Sequence, residues 1–497
     1  MTTKVKINCL TTGVPGLDEV LGGGLPEFSF NLIAGTPGSG KTTLAHQIMF
    51  ALATPERPAL YFTVLGEPPL KMLRYQQQFD FFDAEAINHR VRFINLSEDA
   101  MSGNLDRVLQ RIVEDVALYS PGLVFVDSFR SVVFATESSG QQHHKLQQFV
   151  QQLGMLLTSW QATTFLLGEY FNETDANPVF TVADGLIWLR QSVQRNSMVR
   201  KIEIMKMRGQ ATLPGLHTFR ITKAGLSVFM PAGVLVGKKL RASPPQDGSP
   251  ALTGVPGLDE MLGGGLPRGY SLLVAGPSGS GKSILATSFL AEGVRGGETG
   301  VIAAFEQNPL QSRNRRLIDL IDSGKVGLVD SHAPDRSIDE VVMQIMAEVR
   351  RLNASRVVLD SLSGFELALA PSFRDDFRAS LLGLVTTLAA AGVTVLLTSE
   401  LEDRYIDLRF SPYGAAFLTD AIIVQRYIEV DSQLLRVMAV VKVRACAHSR
   451  ALRLFTIDGE GIQIGEMVLD QEGLLGGRPT RKAVADLPAK AADASVD

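Results

Sequence analysis

The sequence predicts an α/β protein built from two tandem domains, each a mostly parallel sheet flanked by helices. Three observations point there. A strand, glycine-rich loop and helix occur in succession twice. The same fifteen-residue phrase stands ahead of each loop, and an apolar strand ending in Asp-Ser follows each one. A chain of 497 residues ordinarily divides into two to four domains, each large enough for its own core.

The repeated phrase runs from Thr12 to Pro26 and returns from Thr253 to Pro267, with Val20 against Met261 the only difference. Internal repeats on this scale indicate a duplicated domain rather than a short solenoid unit. The phosphate loops keep the same spacing, since Lys282 stands 241 positions after Lys41, as Thr253 does after Thr12.

The first loop is Gly35-Thr36-Pro37-Gly38-Ser39-Gly40-Lys41-Thr42, after the apolar run Phe30–Ala34 and before a helical pattern from Thr43 to Ala53. The second is Gly276-Pro277-Ser278-Gly279-Ser280-Gly281-Lys282-Ser283, after Ser271–Ala275. Glycines at these positions let successive backbone N–H groups turn toward phosphate oxygens, and the helix start adds a favourable dipole. Nucleotide contact is therefore expected along Thr36, Pro37, Gly38, Ser39, Gly40, Lys41, Thr42 and Thr43. In the second half it is expected along Pro277, Ser278, Gly279, Ser280, Gly281, Lys282, Ser283 and Ile284. The lysines are expected at the β- and γ-phosphates of ATP, and the Thr42 and Ser283 hydroxyls on Mg²⁺.

Downstream, Leu123–Val126 ends in Asp127-Ser128 and Arg356–Leu359 ends in Asp360-Ser361. A buried strand ending in a carboxylate, about eighty residues after such a loop, is the Walker B arrangement, in which the acid holds Mg²⁺ directly or through water. Asp127 and Asp360 complete the predicted metal set with Thr42 and Ser283. The segment Ala242–Pro250 is a linker by composition. The expected organisation is a first domain over 1–230, a linker over 231–250, a second domain over 251–465 and a mobile tail over 466–497.

A net charge of −4 and a pI near 6.1 give no general attraction to nucleic acid or anionic membranes. Two cysteines far apart, Cys9 and Cys446, and no signal peptide at Met1–Lys6 point to a reducing cytoplasm. Ala379–Ser399 is uncharged and long enough to raise the question of a membrane span. Gly383, Gly392 and three threonines favour instead a helix ending near Gly392 and then a strand over Val393–Leu397. His143-His144 do not suit a shared metal, because adjacent helical residues diverge by about 100°. The glutamine-rich stretch Gln141–Gln152 reads as a solvated or interface helix face. Glu169 and Glu400, which close the core strands Phe165–Gly168 and Leu396–Ser399, are further candidates for sensing the γ-phosphate.

Together with Lys206-Met207-Arg208-Gly209, the doubled opening phrase, the two loops and the "VDS" and "LDS" strand ends make the sequence resemble the KaiC family over about residues 7 to 465. These are two-domain RecA-type ATPases known from the cyanobacterial circadian clock. The resemblance implies tandem RecA-like P-loop NTPase domains and a homohexameric two-tier ring holding ATP at the subunit interfaces. It also implies ATP hydrolysis and, in clock members, serine and threonine autophosphorylation in the second tier. It further implies a Glu-Glu pair after the strand that follows the P-loop helix. That pair is Gly66-Glu67 in the first half and Glu306-Gln307 in the second, so each half keeps one carboxylate as general base. Lys206, Met207 and Arg208, echoed by Lys442, Val443 and Arg444, correspond to the family's cations that reach across an interface to a neighbour's γ-phosphate. Strand alternation is expected to put Lys206 and Arg208 on one face, and likewise Lys442 and Arg444. The clock-type acceptor segment departs from the family: Ala416-Phe417-Leu418-Thr419-Asp420 lacks both acceptor hydroxyls.

The leading reading is an ATP-hydrolysing ring with Mg²⁺-ATP in both tiers and a residual protein kinase activity at most. A nucleotide-switched scaffold read by a regulatory protein partner is the alternative. A RecA-like DNA repair ATPase is disfavoured by the acidic balance and by the lack of a basic cluster near 128–145 or 362–378.

Overall fold

The computed structural model describes residues 7–64, 69–101, 105–128, 142–171, 178–194, 197–230, 249–306, 309–311, 314–330, 337–368, 377–401, 418–430 and 432–468, with the short segments 471–472 and 480–481. The chain forms two compact units, Met1–Pro231 and Ala232–Asp497.

In the first unit, β1 (Cys9–Leu10) and β2 (Leu25–Pro26) pair across the opening phrase. The main sheet is built from β3 (Phe30–Gly35), β4 (Ala59–Thr63), β5 (Val91–Asn95), β6 (Leu123–Asp127), β7 (Thr163–Glu169), β8 (Gly185–Gln194), β9 (Ser197–Met207), β10 (Leu216–Thr222) and β11 (Gly225–Val228). Its order is β11-β10-β9-β8-β3-β7-β6-β4-β5. From β8 to β5 every pairing is parallel, and β9, β10 and β11 extend the sheet antiparallel. Strands covered on both faces read as continuous apolar runs. That is why β3 and β4 are buried at every position.

The second unit repeats this plan. Its strands are β12 (Ser271–Gly276), β13 (Gly300–Ala304), β14 (Val326–Asp330), β15 (Arg356–Asp360), β16 (Thr394–Glu400), β17 (Ala421–Val430), β18 (Gln433–Val443), β19 (Arg453–Asp458) and β20 (Gly461–Met467). The order β14-β13-β15-β16-β12-β17-β18-β19-β20 matches the first sheet strand for strand. The uncharged stretch Ala379–Ser399 belongs to the helix Phe377–Ala390 and to β16, with Gly392 turning between them at φ 78°. No helix among the described residues is long and apolar enough to cross a membrane.

The opening phrase acts structurally. Asp18 Oδ1 accepts the Thr12 amide at 2.8 Å, and Asp259 Oδ1 accepts the Thr253 amide at 2.7 Å. Leu17 and Leu258 are fully buried. Gly16 sits at φ 79°, and a Cβ there would lie 2.0 Å from the Val228 carbonyl oxygen, so only glycine lets this turn close on β11.

The second unit holds a buried ionic cluster that has no counterpart among the described residues of the first. Arg356, 3% exposed, donates to Glu298 at 2.8 Å and to the carbonyls of Leu252 and Phe289, both at 2.7 Å. Arg268 also pairs with Glu298, at 2.9 Å. The cluster ties the start of β15 to Leu252 and Arg268, which flank the opening phrase, and to the P-loop helix Lys282–Arg295. The sheet register puts Leu123 at the corresponding place in the first unit.

Candidate functional site

Both phosphate loops leave the central strand of their sheet at its C-terminal end, where open α/β sheets bind ligands. The helices Lys41–Leu52 and Lys282–Arg295 start on Gly40 and Gly281, at φ 104° and 103°. A Cβ on Gly40 would meet Ile221 Cδ1 at 2.7 Å, and one on Gly281 would meet Ile457 Cδ1 at 2.6 Å. Glycine is thus required both by the backbone angle and by the neighbour. The first intrahelical bonds run from Leu44 to Gly40 and from Leu285 to Gly281. Helix starts leave their leading N–H groups without an intrahelical partner, which suits an anion.

In the first unit the structure gathers Lys41, Thr42, Asp127 and Glu169 around a cavity of about 330 Å³. Lys41 Nζ bridges the carbonyls of Gly35 (3.1 Å) and Thr36 (2.9 Å). Burial lowers its pKa, while the charges of Glu169 and Asp127 pull it back up. Thr42 Oγ1 donates to Asp127 Oδ2 at 3.0 Å, and the Tyr61 hydroxyl donates to the same oxygen at 2.7 Å. Burial pushes the Asp127 carboxyl up, against both of those bonds.

The second unit gathers Lys282, Ser283, Glu306, Asp360 and Glu400 around a cavity of about 420 Å³. Lys282 Nζ bridges Gly276 O (2.9 Å) and Pro277 O (2.8 Å). Burial lowers its pKa, opposed by Glu400, Asp360 and Glu306. Asp360 takes hydrogen bonds from Thr398 and Ser283, and burial again pushes it up. Ser361 donates to Glu306, which fixes that carboxylate at the mouth of the site. Both Asp-Ser peptide bonds, 127–128 and 360–361, are cis.

These residues fit a magnesium nucleotide. Each cavity offers one hydroxyl and one carboxylate, hard oxygen donors suited to Mg²⁺, beside a lysine. Among the described residues the Thr36 and Ser39 hydroxyls are buried and have no hydrogen-bond partner, as groups suited to a ligand would be. Of the other loop residues, Gly38, Thr43, Ser278, Gly279 and Ile284 line the cavities as well. Ser280 is occupied within the fold, donating to Gln425 at 3.0 Å. Glu67 and Gly66 lie outside the described residues, as do Gln307, Ala416 and Phe417. His143 and His144 fall in the helix Gln142–Ser159.

The Lys-x-Arg pairs stand elsewhere. Asn31 pairs with Gly185 and Gly185 with Met207, so Met207 is level with a residue four positions before Gly35. Leu272, Ala421 and Val443 align in the same way ahead of Gly276. At about 3.3 Å per residue, each pair lies roughly 13 Å down the sheet from its own phosphate loop, toward the opposite end. An extra residue, Met205 or Val441, makes a bulge just before the lysine, and β9 ends at Met207, so Arg208 lies one residue past the strand. Lys206 and Arg208 still lie on one side, as alternation predicts, both donating to Thr181 O, at 3.1 and 3.3 Å. Bulges re-aim side chains. Lys206 reaches the carbonyls of Phe180, Thr181 and Ala183, and Arg208 pairs with Asp184 at 3.0 Å. Lys442 donates to Thr419 O at 2.7 Å, and Arg444 pairs with Asp420 at 3.1 Å. Each lysine's pKa is lowered by burial first, then by its arginine neighbour.

Sequence reasoning missed Tyr61, Thr398, Ser361, Asp184 and Asp420. Only Ser361 carried a local signal, its place after the strand-end acid; the register of the sheet brings Tyr61 and Thr398 to the strand-end acids, and Asp184 and Asp420 to the Lys-x-Arg pairs.

A protein-family model described as "ATPase: KaiC" matches residues 10–233 and again 251–468. The chain is similar to the circadian clock oscillator protein KaiC of Picosynechococcus sp., with 28% identity over 96% of this chain and 93% of that protein. The corresponding protein of Rippkaea orientalis is 27% identical over 96% of this chain and 92% of its own. Circadian clock oscillator protein KaiC 1 of Synechocystis sp. is 26% identical over the same shares.

Proposed function

The chain belongs to the KaiC ATPase family, and from that premise we propose that it is a ring-forming ATPase. In this reading both halves bind Mg²⁺-ATP, and each site is completed by cations lent from an adjoining copy. The observation that carries it is the paired arrangement within each unit. A lysine, a hydroxyl and a strand-end acid meet in one cavity, while the Lys-x-Arg pair sits at the far end of the same sheet. A cation so placed is suited to a second molecule's phosphates rather than its own, which favours an arginine finger in trans.

Bound Mg²⁺-ATP would supply a phosphoryl group already polarised for in-line transfer. Lys41 and Lys282 orient its outer phosphates; Thr42 with Asp127, and Ser283 with Asp360, hold the metal. Glu306, fixed by Ser361, accepts the proton of the attacking water in the second half, and Glu67 has that role in the first. Water is favoured over a protein hydroxyl as acceptor. The two clock-type acceptor positions are Ala416 and Phe417, and Thr419 is fully buried. The expected partners are further copies of the chain and a regulatory protein.

Equilibrium binding with magnesium present tests this reading. Two nucleotides per chain are expected, falling to one in Lys41→Ala or Lys282→Ala and to none in the double variant. Steady phosphate release should fall at least about 100-fold in the double variant. Nucleotide-dependent assembly with no measurable release in the parent protein would favour the scaffold reading.

A further inference from the structure

In both halves an acid links the arginine to the loop strand through the same carboxylate oxygens and backbone groups. Asp184 Oδ1 accepts Arg208 Nη1 at 3.0 Å, and its Oδ2 accepts the Phe30 amide at 3.0 Å. The backbones bond as well: Arg208 N donates to Asp184 O (2.9 Å) and Asp184 N to Phe30 O (2.7 Å). In the second half Asp420 Oδ1 accepts Arg444 Nη1 at 3.1 Å, and its Oδ2 accepts the Ser271 amide at 3.0 Å and the Ser271 hydroxyl at 2.9 Å. Arg444 N donates to Asp420 O and Asp420 N to Ser271 O, both at 2.9 Å.

Phe30 and Ser271 are the first residues of β3 and β12, the six-residue strands whose last residues, Gly35 and Gly276, open the phosphate loops. One carboxylate therefore joins the base of a half's own loop strand to the arginine that the half would lend. The arginine side chains are 58% and 54% exposed. Ion pairs that open to water contribute little to stability, so folding alone gives weak reason for both halves to build one. A guanidinium has five N–H donors; in Arg208 one goes to Asp184 and another to Thr181 O, at 3.3 Å, so the pairing with the acid does not use up the fork.

We propose that Asp184 and Asp420 are positioning residues that aim Arg208 and Arg444 at a neighbouring copy's terminal phosphate and fix them to the strand bearing their own phosphate loop. The proposal rests on the trans-finger reading above, and its consequence differs from that reading: loss of the acid is a defect in what a copy lends, not in what it keeps. Asp184→Asn suits the test, because the amide oxygen still accepts from Phe30 N–H while the charge-assisted bond to Arg208 is gone.

In a Lys282→Ala background, where only the first half turns over, Asp184→Asn is expected to lower turnover on the order of tenfold. Affinity for a fluorescent ADP analogue should stay within about twofold, while preference for a non-hydrolysable ATP analogue over ADP declines. Adding Arg208→Ala to Asp184→Asn should cost no more than Arg208→Ala alone. Mixing the Asp184→Asn copies with Lys41→Ala copies, which keep intact fingers, should raise turnover above the sum of the separate proteins. If Arg208→Ala lowers turnover but Asp184→Asn changes neither turnover nor ATP preference, the positioning role is wrong and the finger reading stands. Failure of the mixture to recover also overturns the positioning role. If Arg208→Ala itself changes nothing, both readings fall. Should Asp184→Asn lose ADP binding, Asp420→Asn in a Lys41→Ala background carries the same expectations and the same refutations.

Discussion

Asp127 and Asp360 occupy matching places with different support. Tyr61 from β4 holds the first acid, and Thr398 from β16 holds the second. Groups behind a metal ligand typically change metal affinity by about 10- to 100-fold when removed. Tyr61→Phe should therefore raise the Mg²⁺ concentration needed for half-maximal nucleotide binding on the order of tenfold in the first half only. An unchanged requirement in a Lys282→Ala background would show that the phenol plays no part. Behind Tyr61 lies His46, fully buried against Tyr61 and Phe93, and burial drives its pKa from 6.5 to about 4. The unfolded chain takes up this proton below about 6.5, so the neutral ring's contribution is complete above that pH and is lost as pH falls toward 4. The first unit's urea midpoint should drop between pH 7 and pH 4.5, and His46→Phe should flatten that drop. The phosphate loops were readable because all their parts are adjacent in sequence. Tyr61, 66 positions from its acid, could not be paired with it before the sheet register was known.

The buried Arg356–Glu298–Arg268 cluster secures the second sheet against its P-loop helix. Burial alone would raise Glu298, but the bonds from Arg356 and Arg268 win and hold it near 2. Arg356→Ala would leave Glu298 to Arg268 alone and deprive the Leu252 and Phe289 carbonyls of their donor, so it should destabilise the second unit by about 3–5 kcal/mol. Denaturant unfolding should show this, with the first unit's transition unmoved. The Glu298 contribution is full above about pH 4.5 and is lost as pH falls toward 2. Periodicity and glycine placement marked the helix and strand within Ala379–Ser399. They did not reveal the bulges at Met205 and Val441, because an inserted residue leaves the apolar pattern of a strand end almost unchanged.

Two sheets of the same strand order, each with its cation pair remote from its own loop, predict that turnover depends on association. Light scattering with and without Mg²⁺-ATP checks this: a species of several chains should carry the activity, and a monomer at full turnover would refute the lent-cation reading. The duplication was plain in the sequence, whereas the distance between loop and cations required the three-dimensional register. The isoleucines against Gly40 and Gly281 carry a last consequence. Each phosphate loop is braced by a side chain made about 180 residues later, Ile221 for the first and Ile457 for the second. If both halves bind nucleotide as proposed, the first would be ready during synthesis soon after residue 221 leaves the ribosome, and the second only once residue 457 has followed. Cellular ATP would then reward completed folding one half at a time, and a nascent chain stalled between the two would hold a single nucleotide.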